Sequence, residues 1–163
     1  MSEDDVKDVL KLFPYGFYAV TSKSDDDTNI MVANWITQVS FTPRLVAFGL
    51  QKSSRTREVI GDGQVFAINI FGKEDSESMM PFTKGRSKNP DKMKEANYQP
   101  APITGCPIVE GASAYIEFEV AKIIDTGGDH DIIIGSPVGA EIIKSVELSE
   151  VVTLPYIGWS YAG

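Results

Sequence analysis

The chain has little with which to bind a metal or build a disulfide. Cys106 is the one cysteine and His130 the one histidine among 163 residues. A single cysteine excludes an intrachain disulfide framework. With one histidine beside it, zinc-type and iron–sulfur sites lack ligands, and no metal site is expected. Cys106 lies between Gly105 and Pro107 and reads as structural rather than catalytic. Positive charge is also scarce: 15 Lys and Arg stand against 23 Asp and Glu, a net charge of −8 and a pI near 4.6. Nucleic acid and anionic membrane are poor partners for such a surface, and neither is expected. No apolar run is long enough to span a bilayer. The acidic opening MSEDDVKDVL does not have the character of a secretory leader, so a cytoplasmic location is expected.

Several signatures are missing as well. There is no G-x-G-x-x-G after a strand pattern and no G-x-x-x-x-G-K-[ST], so Rossmann and P-loop nucleotide sites are not supported. No Ser/His/Asp order, Cys/His pair or carboxylate dyad has motif context, which argues against a hydrolase. Repeats, low-complexity tracts and a second-domain boundary are absent too. Residues 1–163 therefore read as a single domain of ordinary apolar content, 42%, large enough to bury a core.

What is there centres on residues 31–56, MVANWITQVSFTPRLVAFGLQKSSRT. Met31, Val32 and Ala33 end an apolar strand. Asn34-Trp35-Ile36-Thr37-Gln38 carries amides and a hydroxyl on a strand pattern, and Val39-Ser40-Phe41 alternates again. Pro43 can end that strand because it has no N–H for the ladder. Arg44 to Leu50 is a strand of the fully buried type. It runs into Gln51-Lys52-Ser53-Ser54-Arg55-Thr56 and then a short helix pattern. Asn34, Thr37 and Gln38 offer donors and acceptors to the edge of a planar, heteroatom-rich ring. Trp35 and Phe41 offer apolar faces. Ser53, Ser54 and Thr56 at a helix start, with Lys52 and Arg55, form an anion site suited to a phosphate. The plainer alternative is a hairpin with solvent-facing polar residues followed by an ordinary Ser/Thr cap. The occurrence of all these pieces in one short segment favours the binding site.

The rest of the chain supports a β-rich fold. Asp4 to Phe13 reads as an amphipathic helix with Val6, Val9, Leu10 and Phe13 on one side, Ser2 as cap and Pro14 as its end. Gly16–Ser22 and Asn29–Ala33 read as a hairpin around the polar turn at 23–27. A helix over Arg55–Gly61 is expected to stop at Gly61 and Gly63. A strand over Gln64–Phe71 and a helix over Glu74–Phe82 follow. Residues 83–99 hold Lys84, Arg86, Lys88, Lys92 and Lys94 in an otherwise acidic chain. This basic segment reads either as a solvated loop or as an electropositive lid, with Asn89-Pro90 opening a turn or two of helix. Pro100–Gly111 reads as loop. Ala112–Asp125 and Asp131–Ile143 form a long hairpin around Gly127-Gly128-Asp129, with its second strand interrupted at Gly135-Ser136-Pro137. Several strands with short helices suggest an antiparallel barrel. The aromatic tail, Leu154 to Tyr161, is expected to pack back on the barrel or on a partner chain.

The segment Asn34–Pro43 resembles the signature of the flavin reductase-like, FMN-binding split-barrel family, which includes flavoredoxin. Lys52-Ser53-Ser54-Arg55-Thr56, Phe66-Ala67-Ile68-Asn69-Ile70 and Gly127-Gly128-Asp129-His130 follow in the family's order. Together they cover roughly residues 12–161. The resemblance implies a mostly β split antiparallel barrel with short peripheral helices, binding FMN non-covalently. It implies that Ala33, Asn34, Trp35, Ile36, Thr37, Gln38 and Ser40 meet the ring. Ser53 and Thr56, with Lys52 or Arg55, would meet the phosphate, and His130 would lie near the flavin. It further implies a homodimer with FMN near the interface. Two activities stay open. One is an oxidoreductase passing electrons from NADH or NADPH through FMN to a small acceptor such as free flavin or ferric iron. The other is a non-enzymatic, flavoredoxin-like carrier that exchanges electrons with a protein partner. In either case the cofactors supply the chemistry, so no side chain is singled out as catalytic.

Overall fold

The fold follows from one topological fact about a sheet of seven antiparallel strands. In a computed structural model, which describes residues 2–162, the strands are β1 (Tyr18–Lys23), β2 (Thr28–Ala33), β3 (Ile36–Phe41), β4 (Arg44–Gln51), β5 (Val65–Ile70), β8 (Ala114–Asp125) and β9 (His130–Ile142). Their order across the sheet is β2-β1-β5-β8-β9-β4-β3, and every pairing is antiparallel. The edge strands β2 and β3 are thus farthest apart in the ladder, yet only Asn34 and Trp35 separate them in sequence. Two linking residues can span no more than roughly 10 Å. The sheet must therefore curl until its edges nearly meet, which makes a barrel split along one seam. A small hairpin, β6 (Tyr98–Pro100) with β7 (Pro107–Val109), lies outside this sheet.

Period-two alternation sends side chains to two cores. Val20, Phe48, Leu50, Phe66, Ile68, Phe118 and Ile133 fill the barrel, joined by Ile60 of helix α2 (Arg55–Gly63). Phe17, Ala19, Ile30 and Phe71 point outward and are covered by Met79 and Phe82, by Val109, and by Val152 and Leu154 of the tail. Burial on both faces shows in the unbroken run of four buried residues in each of β1 and β5. Inside the barrel the rings of Phe66 and Phe118 stack at 4.7 Å, with Phe48 tilted against Phe66 at 5.0 Å.

Several local expectations need correction. Helix α2 does not stop at Gly61. It continues through Gly63 and ends at Gln64, whose φ is 56°. Gln64 holds that conformation by donating its N–H to the Ile60 carbonyl at 2.9 Å and its side-chain amide to the Gly61 carbonyl at 2.8 Å. Residues 100–111 are not all loop, because they contain β7. Strand β9 is not interrupted at Gly135-Ser136-Pro137. The residues stay in the ladder, and the register steps by one beside Pro137 and again beside Gly135, as bulges allow where a strand bends. The helix expected over residues 74–82 is present as a 3-10 helix (Lys73–Thr83), and the turn or two expected in the basic segment is the single-turn helix α3, Lys92–Glu95. Helix α1 (Glu3–Leu10) carries the expected Ser2 capping box, but Val6, Val9, Leu10 and Phe13 are exposed on this chain. Among the described residues no helix is long and apolar enough to cross a membrane.

Gly135 lies where the barrel is tightest. A Cβ there would sit 2.4 Å and 2.7 Å from two atoms of the Phe66 ring and 3.0 Å from the Phe118 Cβ. Gly135→Ala should cost roughly 1–3 kcal/mol by overpacking, read as a lower denaturation midpoint. An unchanged midpoint would show that the three-ring stack yields freely.

Candidate functional site

Where the sheet fails to close, a cleft of about 610 Å³ opens. Asn34 and Trp35 leave the ladder to cross the seam, so their side chains escape the strand alternation and line the cleft. Trp35 stands over Gly49 of β4, where a Cβ would come within 3.1 Å of the indole ring. Its carbonyl accepts the Gly49 N–H at 3.0 Å. The indole is boxed by aromatic neighbours: His130 with centroids 5.1 Å apart, Tyr161 at 5.2 Å and Tyr15 at 6.5 Å. Its Nε1 and the Asn34 Nδ2 are both buried, and neither has a hydrogen-bond partner among the described residues. Buried N–H donors of this kind cost free energy unless something accepts from them.

A second wall is the start of α2. Ser54 is the N-cap: its Oγ accepts the Arg57 N–H at 3.1 Å and donates to the Gln51 carbonyl at 2.8 Å. Ser53, Arg55 and Thr56 line the cleft around it. Thr56 is almost fully buried, and its Oγ1 accepts from Asn29 Nδ2 at 2.7 Å, which leaves its own hydroxyl hydrogen to donate elsewhere. Asn29 in turn accepts from Arg86 Nε at 3.1 Å. Arg86 also grips Asp27 with both terminal nitrogens, at 2.8 and 3.1 Å, and Arg55 Nε donates to the same carboxylate at 2.6 Å. Burial pushes the Asp27 carboxyl up, but Arg86, Arg55 and the Thr28 N–H outweigh it and hold it below the usual carboxylate range.

The structure brings Ala33, Asn34, Trp35, Ser53, Arg55, Thr56 and His130 together around the cleft. It does not bring the other expected residues there. Ile36 packs into the barrel interior. Thr37, Gln38 and Ser40 follow β3 along the free edge, where Gln38 Nε2 donates to the Ser40 carbonyl at 3.0 Å. Phe41 is 85% exposed. These residues lie beyond the two-residue crossing, and each rises about 3.3 Å farther along the edge strand from Asn34 and Trp35, past the reach of the cleft. Lys52 is turned away as well, to Asp125 at 2.5 Å and Asp131 at 3.9 Å. Asp131 also accepts from Arg57 Nε at 2.7 Å. This cluster pins the β8–β9 tip, and with it His130, against the start of α2.

Asn29, which no sequence signal marks, also lines the cleft, together with Arg86 and Lys92 of the basic segment and Trp159 and Tyr161 of the aromatic tail, none of which is among the expected site residues. Basic residues concentrated in an acidic chain and an aromatic tail were the available signals. Neither says where a segment will fold back. Cys106 is buried away from the cleft, and burial pushes its thiol up to about 11, so it is inert at neutral pH. Among the described residues no group of three or more His, Cys, Asp or Glu is placed to hold a metal ion.

A curled seven-stranded sheet with a cleft at its seam defines a class, and comparison places the chain in it. Residues 10–161 match the family described as flavin reductase like domain. The chain belongs to that family. It is 32% identical over 130 residues to the reductase subunit HsaB of a flavin-dependent monooxygenase from Mycobacterium tuberculosis, covering 80% of this chain and 67% of that one. It is 31% identical over 142 residues to the high molecular weight rubredoxin of Moorella thermoacetica, covering 85% of this chain and 60% of that one. A diflavin flavoprotein of Nostoc sp. is 28% identical over 148 residues, 90% of this chain but 25% of its own length. The chain thus spans only part of some relatives. Among solved structures, flavin reductase HpaC complexed with NADP+ superposes with a TM-score of 0.76 at 26% identity, covering 90% of each chain. An FMN-binding protein from Thermus thermophilus shares the fold with a TM-score of 0.77 at 20% identity, covering 94% of this chain and 85% of that one.

The Asn29–Thr56 pair generates a test of its own. Thr56→Ala leaves the buried Asn29 amide short of an acceptor and should cost about 1–3 kcal/mol, whereas Thr56→Ser keeps the oxygen and most of the stability. Equal denaturation midpoints for the two variants would mean that the pair contributes nothing.

Proposed function

We propose that the chain is an FMN-binding oxidoreductase that passes electrons from NADH or NADPH to a small acceptor such as free flavin or ferric iron. One observation carries the reading: two buried N–H donors lacking protein acceptors, Asn34 Nδ2 and Trp35 Nε1, share an aromatic cleft with a helix N-terminus and two arginines. The residues fit the cofactor. A flavin ring has carbonyl and nitrogen acceptors along its edge for those donors and a planar face for Trp35 and His130. Its phosphate suits Ser53, Thr56 and the free N–H groups of α2. Family membership supports the flavin, the HsaB reductase subunit supports a reductase role, and the NADP+ complex of HpaC supports a nicotinamide donor.

When bound, flavin supplies the two-electron chemistry. The chain supplies position and access. Trp35, held over Gly49, sets one wall. His130, with its Nδ1 2.8 Å from Asp129 Oδ1, is held at the mouth by the β8–β9 tip. Arg55 and Arg86 make the anion end attractive while Asp27 keeps their own repulsion in check. Trp159 and Tyr161 add aromatic surface to the cleft wall. No side chain is required as acid or base. Exposed Val9, Leu12, Phe13, Phe41 and Ile142 support a homodimer, since a lone soluble chain rarely leaves so many large apolar groups uncovered. A monomeric mass in solution would remove that part of the reading.

The alternative is an electron carrier that serves a protein partner and is not reduced by a nicotinamide. The longer relatives, the rubredoxin and the diflavin flavoprotein, of which this chain spans 60% and 25%, support this second reading. Stopped-flow mixing of the FMN-loaded chain with NADH and NADPH separates the two. Bleaching of the bound flavin faster than that of free FMN is the expected result. Bleaching no faster than free FMN with either donor assigns the carrier role instead.

A further inference from the structure

His130 and Thr56 stand on different walls of the cleft, and the residue after each one leads away from it. Asp131 follows His130 on β9, so its side chain points to the other face of the strand. Arg57 follows Thr56 on α2, and its N–H is the one capped by Ser54 Oγ at 3.1 Å. Neither Arg57 nor Asp131 lines the cleft; both line a separate open hollow. There Arg57 Nε donates to Asp131 Oδ2 at 2.7 Å, with the Asp131 side chain 8% exposed and that of Arg57 26%. Among the described residues this is the one side-chain hydrogen bond between α2 and β9. The ladder does not do its work. Helix α2 rides on β1 and β2, whereas β9 pairs with β4 and β8 and stands three strands from β1. The Lys52 N–H holds the Asp129 carbonyl at 2.9 Å, but that bond ties the β8–β9 tip to the end of β4, not to the helix. The Lys52 ammonium is 3.9 Å from Asp131 and is engaged by the exposed Asp125, a weaker kind of pair.

An ion pair behind two walls can fix their separation without touching what lies between them. We propose that Arg57 and Asp131 are positioning residues: their pair sets the spacing between the wall that carries His130 beside Trp35 and the wall that carries Ser53 and Thr56. The inference rests on the reading of the cleft as an FMN site and goes beyond it by assigning the groups that fit the cleft's length to its ligand. FMN has a ring for the first wall and a phosphate for the second. Joined in one molecule, the two ends reinforce each other only when both walls are reached at once. Riboflavin and inorganic phosphate each need one wall, so the spacing is of no consequence to them.

Removing one partner alone would strand a buried charge, so the test removes both. Arg57→Met together with Asp131→Leu leaves the net charge at −8, because one positive and one negative group go together. Apolar replacement of a whole ion pair is often neutral for stability, and a denaturation curve checks the fold. Titration of the full chain compares FMN, riboflavin and inorganic phosphate. FMN should bind the double variant at least about tenfold more weakly than the wild type, while riboflavin and phosphate stay within about twofold. An unchanged FMN affinity, or an equal loss for riboflavin or for phosphate, would overturn the proposal. Should the double variant not fold, Arg57→Lys keeps the charge but not the guanidinium geometry and should lose FMN alone by about threefold or more; no loss there overturns the proposal as well. A second readout needs no flavin. His130 is the one histidine of the chain and its ring lies 5.1 Å from that of Trp35, so nuclear Overhauser contacts between the two rings report where that wall stands. They should weaken when the pair is removed, and contacts of wild-type strength would count against the strut decisively. If the wild type binds no FMN, the flavin reading fails, and these ring contacts alone decide whether the pair positions His130.

Discussion

The two-residue link between β2 and β3 constrains everything else in the molecule. Strands at opposite edges of a seven-stranded sheet cannot be joined by Asn34 and Trp35 unless the sheet rolls up. The roll stops short of closing, because those residues cross the seam rather than pair along it. The same crossing makes the fold and the cleft. It releases two side chains from the ladder, presents their N–H groups without acceptors, and aligns the end of β4 with the start of α2 on the facing wall. Gly49 and Gly135 are the small residues that permit the curl, one under the Trp35 indole and the other under the Phe66 ring.

The electrostatics of the cleft run against those of the whole chain. A protein of net charge −8 gathers Arg55, Arg86 and Lys92 in one place, bridging the two guanidinium groups with one carboxylate, Asp27, while Glu58 also pairs with Arg55 at 2.5 Å. Asp27 does more than neutralise. Its two oxygens fix Arg86 against β2 and Arg55 against the β1–β2 turn, so the positive end is organised before any anion arrives. Preorganised charge of this kind avoids reordering long side chains on binding. The remote acidic surface has little say inside the cleft, since exposed charges beyond about 10 Å are screened by salt.

Much of this was legible residue by residue. Alternation marked β1 through β5 and the long β8–β9 hairpin, because side chains on a strand must point to opposite faces. Ser2 and Ser54 announced their helices through hydroxyls that accept N–H groups at N-caps. The end of α2 was misjudged because Gly61 and Gly63 suggested a stop, whereas Gln64 supplied the left-handed cap with its own hydrogen bonds. The β6–β7 hairpin was missed because Pro100, Pro107 and Gly105 disguise three-residue strands as loop.

The sequence by itself determined the local pattern: which stretches are strands, where helices begin, that one short segment mixes aromatic, amide, hydroxyl and cationic groups, and that it resembles a flavin-handling family. Only the tertiary structure decided which of those groups share a cleft. Thr37 and Gln38 stay on the open edge and Lys52 turns to Asp125, while Arg86, Lys92 and Tyr161 arrive from distant parts of the chain. The physical reason is that alternation specifies the face of a strand but not what lies beyond that face. What lies beyond depends on where a curled sheet leaves its gap and which remote segments fold over it.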